Sequence, residues 1–206
     1  MRSSRDAWNG DLRSLTEQGL VQAKTVEVNR QSISVVVLTP AGKDVLDAHV
    51  RADGGRRQVF HAGLVKPREI AHDSQIYRLF EAEAARIEAD GGRVTRVVLD
   101  YELKRDYQTF LNRPDKADHP HEDLEQFAED AKLPVVDSHL ELPDLRIEYE
   151  SADGRVEYRD VELVTEHYSR GQLSGKRAAG FAMYRAGGGH ARAGGTPFDP
   201  HHLERL

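Results

Sequence analysis

The stretch PDLRIEYESADGRVEYRDVELVTEHY, residues 143–168, decides the fold. Leu145, Ile147 and Tyr149 alternate with Arg146, Glu148 and Glu150, the period of two expected of a β-strand. Ser151-Ala152-Asp153-Gly154 is turn chemistry, and residues 155–165 read as the returning strand. If Ala152-Asp153-Gly154 forms a three-residue loop with Gly154 left-handed, Ser151 faces Arg155. Counting back along that register sets Asp144 opposite Glu162. Asp160 and Glu162, two apart on one strand, share a face. Three carboxylates then converge on one patch. Close like charges repel, and a divalent cation is the usual remedy. Mg²⁺ suits hard oxygen ligands in a chain with no cysteine. Asp144, Asp160 and Glu162 are therefore candidate metal ligands, and such a metal polarises a phosphodiester and acidifies bound water. The alternative is a polar, exposed strand face paired with Arg146 or Arg159.

Downstream, residues 169–184 read as a helix with Leu173, Phe181 and Tyr184 available for packing. Lys176 lies on it, either as a cation for the carboxylates or as a solvated surface lysine. The tail, residues 187–206, is glycine-rich and reads as flexible or loosely docked. Upstream, residues 74–90 predict a helix with Ile76, Leu79, Phe80, Ala84 and Ile87 on one face, capped by Asp73 and ended by Gly91-Gly92. Residues 94–99 read as a buried strand. Residues 101–112 read as a helix with Leu103, Tyr107, Phe110 and Leu111 inward. Residues 113–121 read as a loop, 122–132 as an acidic helix and 134–136 as a short extended piece.

The N-terminal part has a different character. Trp8, Leu12 and Leu15 recur at helical spacing and Gly19 is a stop signal. Residues 25–28 and 32–38 are β-rich, with Asn29-Arg30-Gln31 as their turn. Thr39 is an N-cap, Pro40 suits the first helical position, and a helix runs to about His49. A helix packed through Trp8, Leu12 and Leu15 leaves Arg5, Asn9 and Arg13 on another face. Arg and Asn suit guanine and adenine edges. Lys24 and Arg30 on the hairpin can reach phosphates. The alternative is a structural or dimerising module without DNA.

Composition bounds the classes. The chain has 206 residues, 38% hydrophobic and 31% charged, which is too apolar and patterned for wholesale disorder. Zero cysteines exclude disulfides, zinc–thiolate sites and a cysteine nucleophile. No apolar run approaches the roughly 18 residues that span a bilayer, and the start, MRSSRDAWNG, has no apolar signal core. The expectation is a cytoplasmic protein without membrane partners. The net charge of −6 is uneven, at +3 over residues 1–70 and −9 over 71–206. The basic segment suits phosphate, whereas the acidic remainder is a poor general nucleic-acid surface.

Two resemblances follow from these motifs. DLRSLTEQGLV with VVVLTPAGKDVL resembles the second half of a winged helix over about 45 residues. It implies a DNA-contacting helix at Asp11–Gln18, a wing at 25–38 and a final helix opened by Leu-Thr-Pro-Ala-Gly. That family places one or two helices further upstream, where about ten residues precede Asp11. Pro143-Asp144 with Asp160-Val161-Glu162 resembles the PD-(D/E)xK nuclease signature, which implies Mg²⁺ held by the acids and a lysine that orients water. If Asp160 is the second acid, Glu162 stands at the lysine position; if Glu162 is, Val164 stands there. Lys176 is the substitute. Together with HDSQIYRLF and DVELVTEHY, the chain resembles the replication-relaxation family of plasmid and integrative-element proteins over roughly residues 5–185.

The expected fold is α+β: a partial winged-helix module at 1–65, an α/β restriction-endonuclease-like domain at 70–186 and the tail at 187–206. The expected function is binding of double-stranded DNA in replication, relaxation or transfer of a mobile element, alongside other proteins of that complex. An inactive nuclease-like domain, an active Mg²⁺-dependent endonuclease or nickase, and a non-catalytic assembly factor all stay open, as does a homodimer. Asp144, Asp160, Glu162 and Lys176 are the candidate catalytic residues. His119-Pro120-His121-Glu122-Asp123 reads as a solvated linker, His167 as a structural residue or a base, and His201-His202 as a tail site for adventitious metal. No P-loop, GxGxxG or GxSxG motif is present.

Overall fold

A computed structural model describes residues 4–28, 31–52, 58–64, 70–113, 120–165, 168–185 and 204–205. The chain is α+β and divides into two compact units, Met1–Ser74 and Gln75–Leu206. No described helix is long and apolar enough to cross a membrane.

The first unit is a helix, a hairpin and a helix: α1 (Ser4–Glu17), β1 (Val21–Val28), β2 (Gln31–Leu38) and α2 (Pro40–Ala52). The strands pair antiparallel from Val21 with Leu38 to Val28 with Gln31. The hairpin is thus longer than the pattern predicts, and Gln31 belongs to the strand rather than the turn. The expected turn residues Asn29 and Arg30 lie outside the described residues. Thr39 caps α2 as expected: its Oγ1 accepts the Gly42 N–H at 3.1 Å and donates to the Gly19 carbonyl at 2.6 Å.

The second unit builds one five-stranded sheet. Its elements are α3 (Ile70–Ala89), β3 (Arg93–Leu99), α4 (Asp100–Leu111), α5 (Pro120–Ala131), a small ribbon of β4 (Val135–Val136) and β5 (His139–Leu140), then β6 (Leu145–Glu150), β7 (Val156–Val164), α6 (Arg170–Ala178), β8 (Ala182–Arg185) and β9 (Glu204–Arg205). The sheet order is β3-β6-β7-β8-β9, with β7 parallel to β8 and the other pairs antiparallel. The division between units falls inside α3, later than the predicted break after residue 65. Because α3 starts at Ile70, Asp73 sits in its first turn and is not its cap; there its charge still complements the helix dipole.

Alternation gives the sheet two unlike faces. Leu145, Ile147, Tyr149, Val161, Leu163, Ala182 and Tyr184 pack against Ile76, Leu79 and Ile87 of α3. On the opposite face Val98 joins Leu103, Phe110, Phe127 and Leu133 of the α4–α5 side, and Val164 and Met183 join Leu173 of α6. Helices therefore cover both faces, and the polar side of β6 is not solvated. Arg146 and Glu148 are 2% and 4% exposed and Glu162 is 1% exposed, so the face is not solvent-exposed, although the expected pairing with Arg146 holds for Asp160.

The main correction concerns residues 169–184. The predicted single helix is a short helix followed by a strand. Gly180, at φ +79°, takes the left-handed turn that ends α6, with the Phe181 N–H reaching back to the Lys176 carbonyl at 3.2 Å. Phe181, Ala182, Met183 and Tyr184 are then buried in or beside the sheet. In the tail, Glu204–Arg205 pairs with β8, while residues 186–203 and 206 lie outside the described residues.

Candidate functional site

The hairpin turn sets the register of the site. Gly154 is left-handed at φ +80° and the Ser151 N–H donates to the Arg155 carbonyl at 2.8 Å. Arg146 then pairs with Asp160 and Leu145 with Val161, so Asp144 and Glu162 come opposite each other. They are linked directly. The Asp144 N–H donates to Glu162 Oε2 at 3.1 Å, and Asp144 Oδ2 accepts the Leu163 N–H at 2.9 Å.

Lys176 completes this cluster from α6. The helix starts at a capping box in which Ser169 Oγ accepts the Gln172 N–H at 3.2 Å and Gln172 Oε1 accepts the Ser169 N–H at 2.9 Å. Two turns later the Lys176 ammonium lies 3.3 Å from Glu162 Oε1 and 3.4 Å from Glu141 Oε2, and donates to the Leu142 carbonyl at 2.5 Å. Its side chain is 15% exposed, so the solvated-lysine alternative fails. Glu141 sits against the bare face of Gly175, where a Cβ would lie only 2.7 Å from its Oε1. Tyr168 closes the other side, its hydroxyl donating to Glu162 Oε1 at 2.5 Å.

The electrostatics follow from burial. Glu162 has its pKa raised, first by loss of water and then by the Asp144 charge, while Lys176, Tyr168 and the Asp144 N–H oppose the rise. Burial, and then the Glu162 carboxylate it faces, push the Tyr168 hydroxyl up as well, so it stays a proton donor at neutral pH. The cluster is the buried Glu162 and half-buried Asp144 with one ammonium, shared with Glu141, and one phenol.

Asp160 shares the face but not the cluster. Both of its oxygens accept from the Arg146 guanidinium at 2.7 Å, and the same guanidinium donates to the carbonyls of Ala131 and Lys132 at 2.5 and 2.7 Å. The expected convergence of three carboxylates is thus a convergence of two, with the third held by its cross-strand arginine. Among the described residues no group of three or more His, Asp or Glu side chains is arranged to hold a metal ion. Asp144 and Glu162 are the two carboxylates that remain together, with both Glu162 oxygens engaged by Lys176, Tyr168 and the Asp144 N–H.

The remaining sequence candidates are spread. Arg5, Asn9 and Arg13 fall on α1 at spacings of four. The Arg13 side chain is 83% exposed and lies 3.8 Å from Glu17. Lys24 is exposed on β1 opposite Val35. Arg30, His119, His167, His201 and His202 lie outside the described residues. Glu141 and Tyr168 were missed by sequence reasoning. Their partners are 35 and 6 residues away, and the only local hint was the placement of Tyr168 just before the Ser169 cap. No protein-family model matches the chain, and neither does any curated protein or solved structure.

Proposed function

We propose that this chain is a DNA-binding protein of a plasmid or integrative mobile element, acting in replication, relaxation or transfer, with a nuclease-like second unit. The observation that carries the reading is the approach of Lys176 to Glu162 beside Asp144. The nuclease signature lacks its lysine on the strand, and α6 returns one to the acid pair. The first unit supports the same reading. Its helix, hairpin and helix follow the order of a winged-helix second half, with exposed Arg13 and Lys24 to meet a duplex. Double-stranded DNA is the partner, with other proteins of the element or a second copy of the chain as further partners.

An active Mg²⁺-dependent nickase is the second reading, favoured by that same lysine. Asp144 and Glu162 would hold the metal, which supplies charge to polarise a phosphodiester and acidify water. Lys176 would then stand beside the scissile phosphate, and Tyr168 would hold Glu162 in place. Asp160 has no part in it.

A gel shift on duplex DNA tests the first reading. Binding should weaken steeply with salt, because phosphate contacts release counterions, and Arg13→Ala should cost about 1–3 kcal/mol if the side chain reads a base. An absence of binding at low salt refutes it. Nicking of supercoiled plasmid with Mg²⁺, lost in Asp144→Ala, Glu162→Ala and Lys176→Ala but kept in Asp160→Asn, selects the second.

A further inference from the structure

β7 has nine residues, yet β8 pairs with it only over Val161, Glu162, Leu163 and Val164. Residues 156–160 run on past the end of β8, and Tyr158, Arg159 and Asp160 border a cleft of about 720 Å³. Its walls include Lys132, Tyr158, Arg159 and Asp160, and its floor includes Phe181 and Met183. This volume falls in the range of sites that bury small ligands.

The backbone contributes as well. The Leu163 N–H and the Arg155 C=O both point toward β6. Alternation then turns the peptide groups of Tyr158 and Asp160 toward the cleft. The charges inside it are not balanced. The Asp160 carboxylate in its lining is already paired with the Arg146 guanidinium. Lys132 is exposed at φ +53°, and Arg159 lines the same cleft with its guanidinium directed to the buried Glu83 of α3 at 3.6 Å. The Tyr158 ring carries the Arg146 guanidinium 4.9 Å from its centroid.

Cations beside aromatic rings are the composition of a groove for unpaired nucleic acid, where phosphates meet the charges and bases meet the rings. The position agrees. Asp160 lies two residues from Glu162, roughly 7 Å along the strand. The Phe181 ring in the floor lies 5.3 Å from the Lys176 ammonium of the acid cluster. We propose that the cleft beside the free end of β7 is a single-strand nucleic-acid subsite, taking the nucleotide next to the phosphodiester at Asp144, Glu162 and Lys176. That neighbouring phosphodiester rests on the nuclease-like reading; the affinity of the cleft does not require cleavage. An extended peptide added to the β7 edge is less suited, because backbone pairing alone makes no use of the cations.

The test uses the full chain carrying Arg13→Ala and Lys24→Ala, which removes the two exposed first-unit cations proposed to meet a duplex. Binding of a labelled oligothymidylate of about five nucleotides is followed by fluorescence anisotropy at low salt. The double variant should bind, adding Tyr158→Leu should weaken binding about tenfold, and adding Lys132→Glu at an exposed position should weaken it several-fold with an unchanged circular dichroism spectrum. No binding by the double variant, or an affinity unmoved by folded Lys132→Glu, overturns the subsite. Binding of an extended acidic peptide in place of the oligonucleotide overturns it in favour of strand addition. The unsubstituted chain binding duplex DNA while the double variant ignores the oligonucleotide would sink the cleft alone and leave the proposed function intact.

Discussion

At the residue scale the decisive feature is how two acids of one sheet face, Glu162 buried and Asp160 half-buried, are treated differently. Asp160 is neutralised by a two-pronged arginine, and Glu162 is left among an ammonium, a phenol and a second acid. Removing one partner of a buried pair leaves the other charge uncompensated, a loss of about 3–5 kcal/mol. Arg146→Ala should therefore destabilise by that order in urea denaturation, since two carbonyls are orphaned as well; a loss below about 1 kcal/mol would contradict the pairing. Glu162 gives a pH signature. Its folded pKa lies above its unfolded value, so its contribution is complete while both states are protonated and is lost as pH rises through the folded value. Glu162→Gln, which leaves Lys176 its Glu141 partner, should match the unsubstituted protein below about pH 4 and exceed it in stability toward pH 8. Denaturation midpoints that run parallel across that range would refute this. Both pairings were legible in residues 143–168, since the register that sets Asp144 opposite Glu162 also sets Arg146 opposite Asp160. At Asp160 the pairing with Arg146, the alternative to convergence, wins, so two acids converge where three were expected.

At the element scale α6 acts as a short lever that carries Lys176 to the sheet. Nine residues make a marginal helix, so its ends matter more than its interior. Ser169→Ala removes one half of the capping box and should cost about 1 kcal/mol. Because fraying of the first turns loosens Lys176, the same variant should reduce any nicking activity while leaving duplex binding unchanged. A variant that loses stability and keeps full nicking would separate the helix from the site. The sequence pattern concealed the end of this helix for a physical reason. Leu173, Phe181 and Tyr184 fit a helical stripe, and a short apolar run such as FAMY reads equally as helix or strand. Gly180 was the discriminating residue, and only its left-handed backbone shows that it stops the chain. By contrast, the strands of the main hairpin and the face of α3 were legible, because their apolar periods are long and their turns carry glycine.

At the scale of the whole molecule the two units differ in how much they bury. In the second, β6 lies between β3 and β7 with helices over both faces of the sheet, and Leu145, Ile147, Val161 and Leu163 are at most 1% exposed. Each such side chain contributes about 1.5–3 kcal/mol relative to leaving it in water. In the first, the hairpin has only two strands, Lys24 and Val36 are exposed on its opposite sides, and Leu15 of α1 is 39% exposed. A two-stranded ribbon is marginal without cover, and opening free energies track buried apolar contact. Native-state hydrogen exchange should accordingly find the amides of β6 and the second half of β7 slowest, with those of β1 and β2 at least about tenfold faster, the equivalent of 1.4 kcal/mol in opening. Saturating duplex DNA should then slow the β1–β2 amides and leave β6 unchanged, because a ligand protects the unit that it binds. Protection that instead rises first in β6 and β7 would move the duplex-binding surface away from the hairpin and onto the acid-bearing sheet.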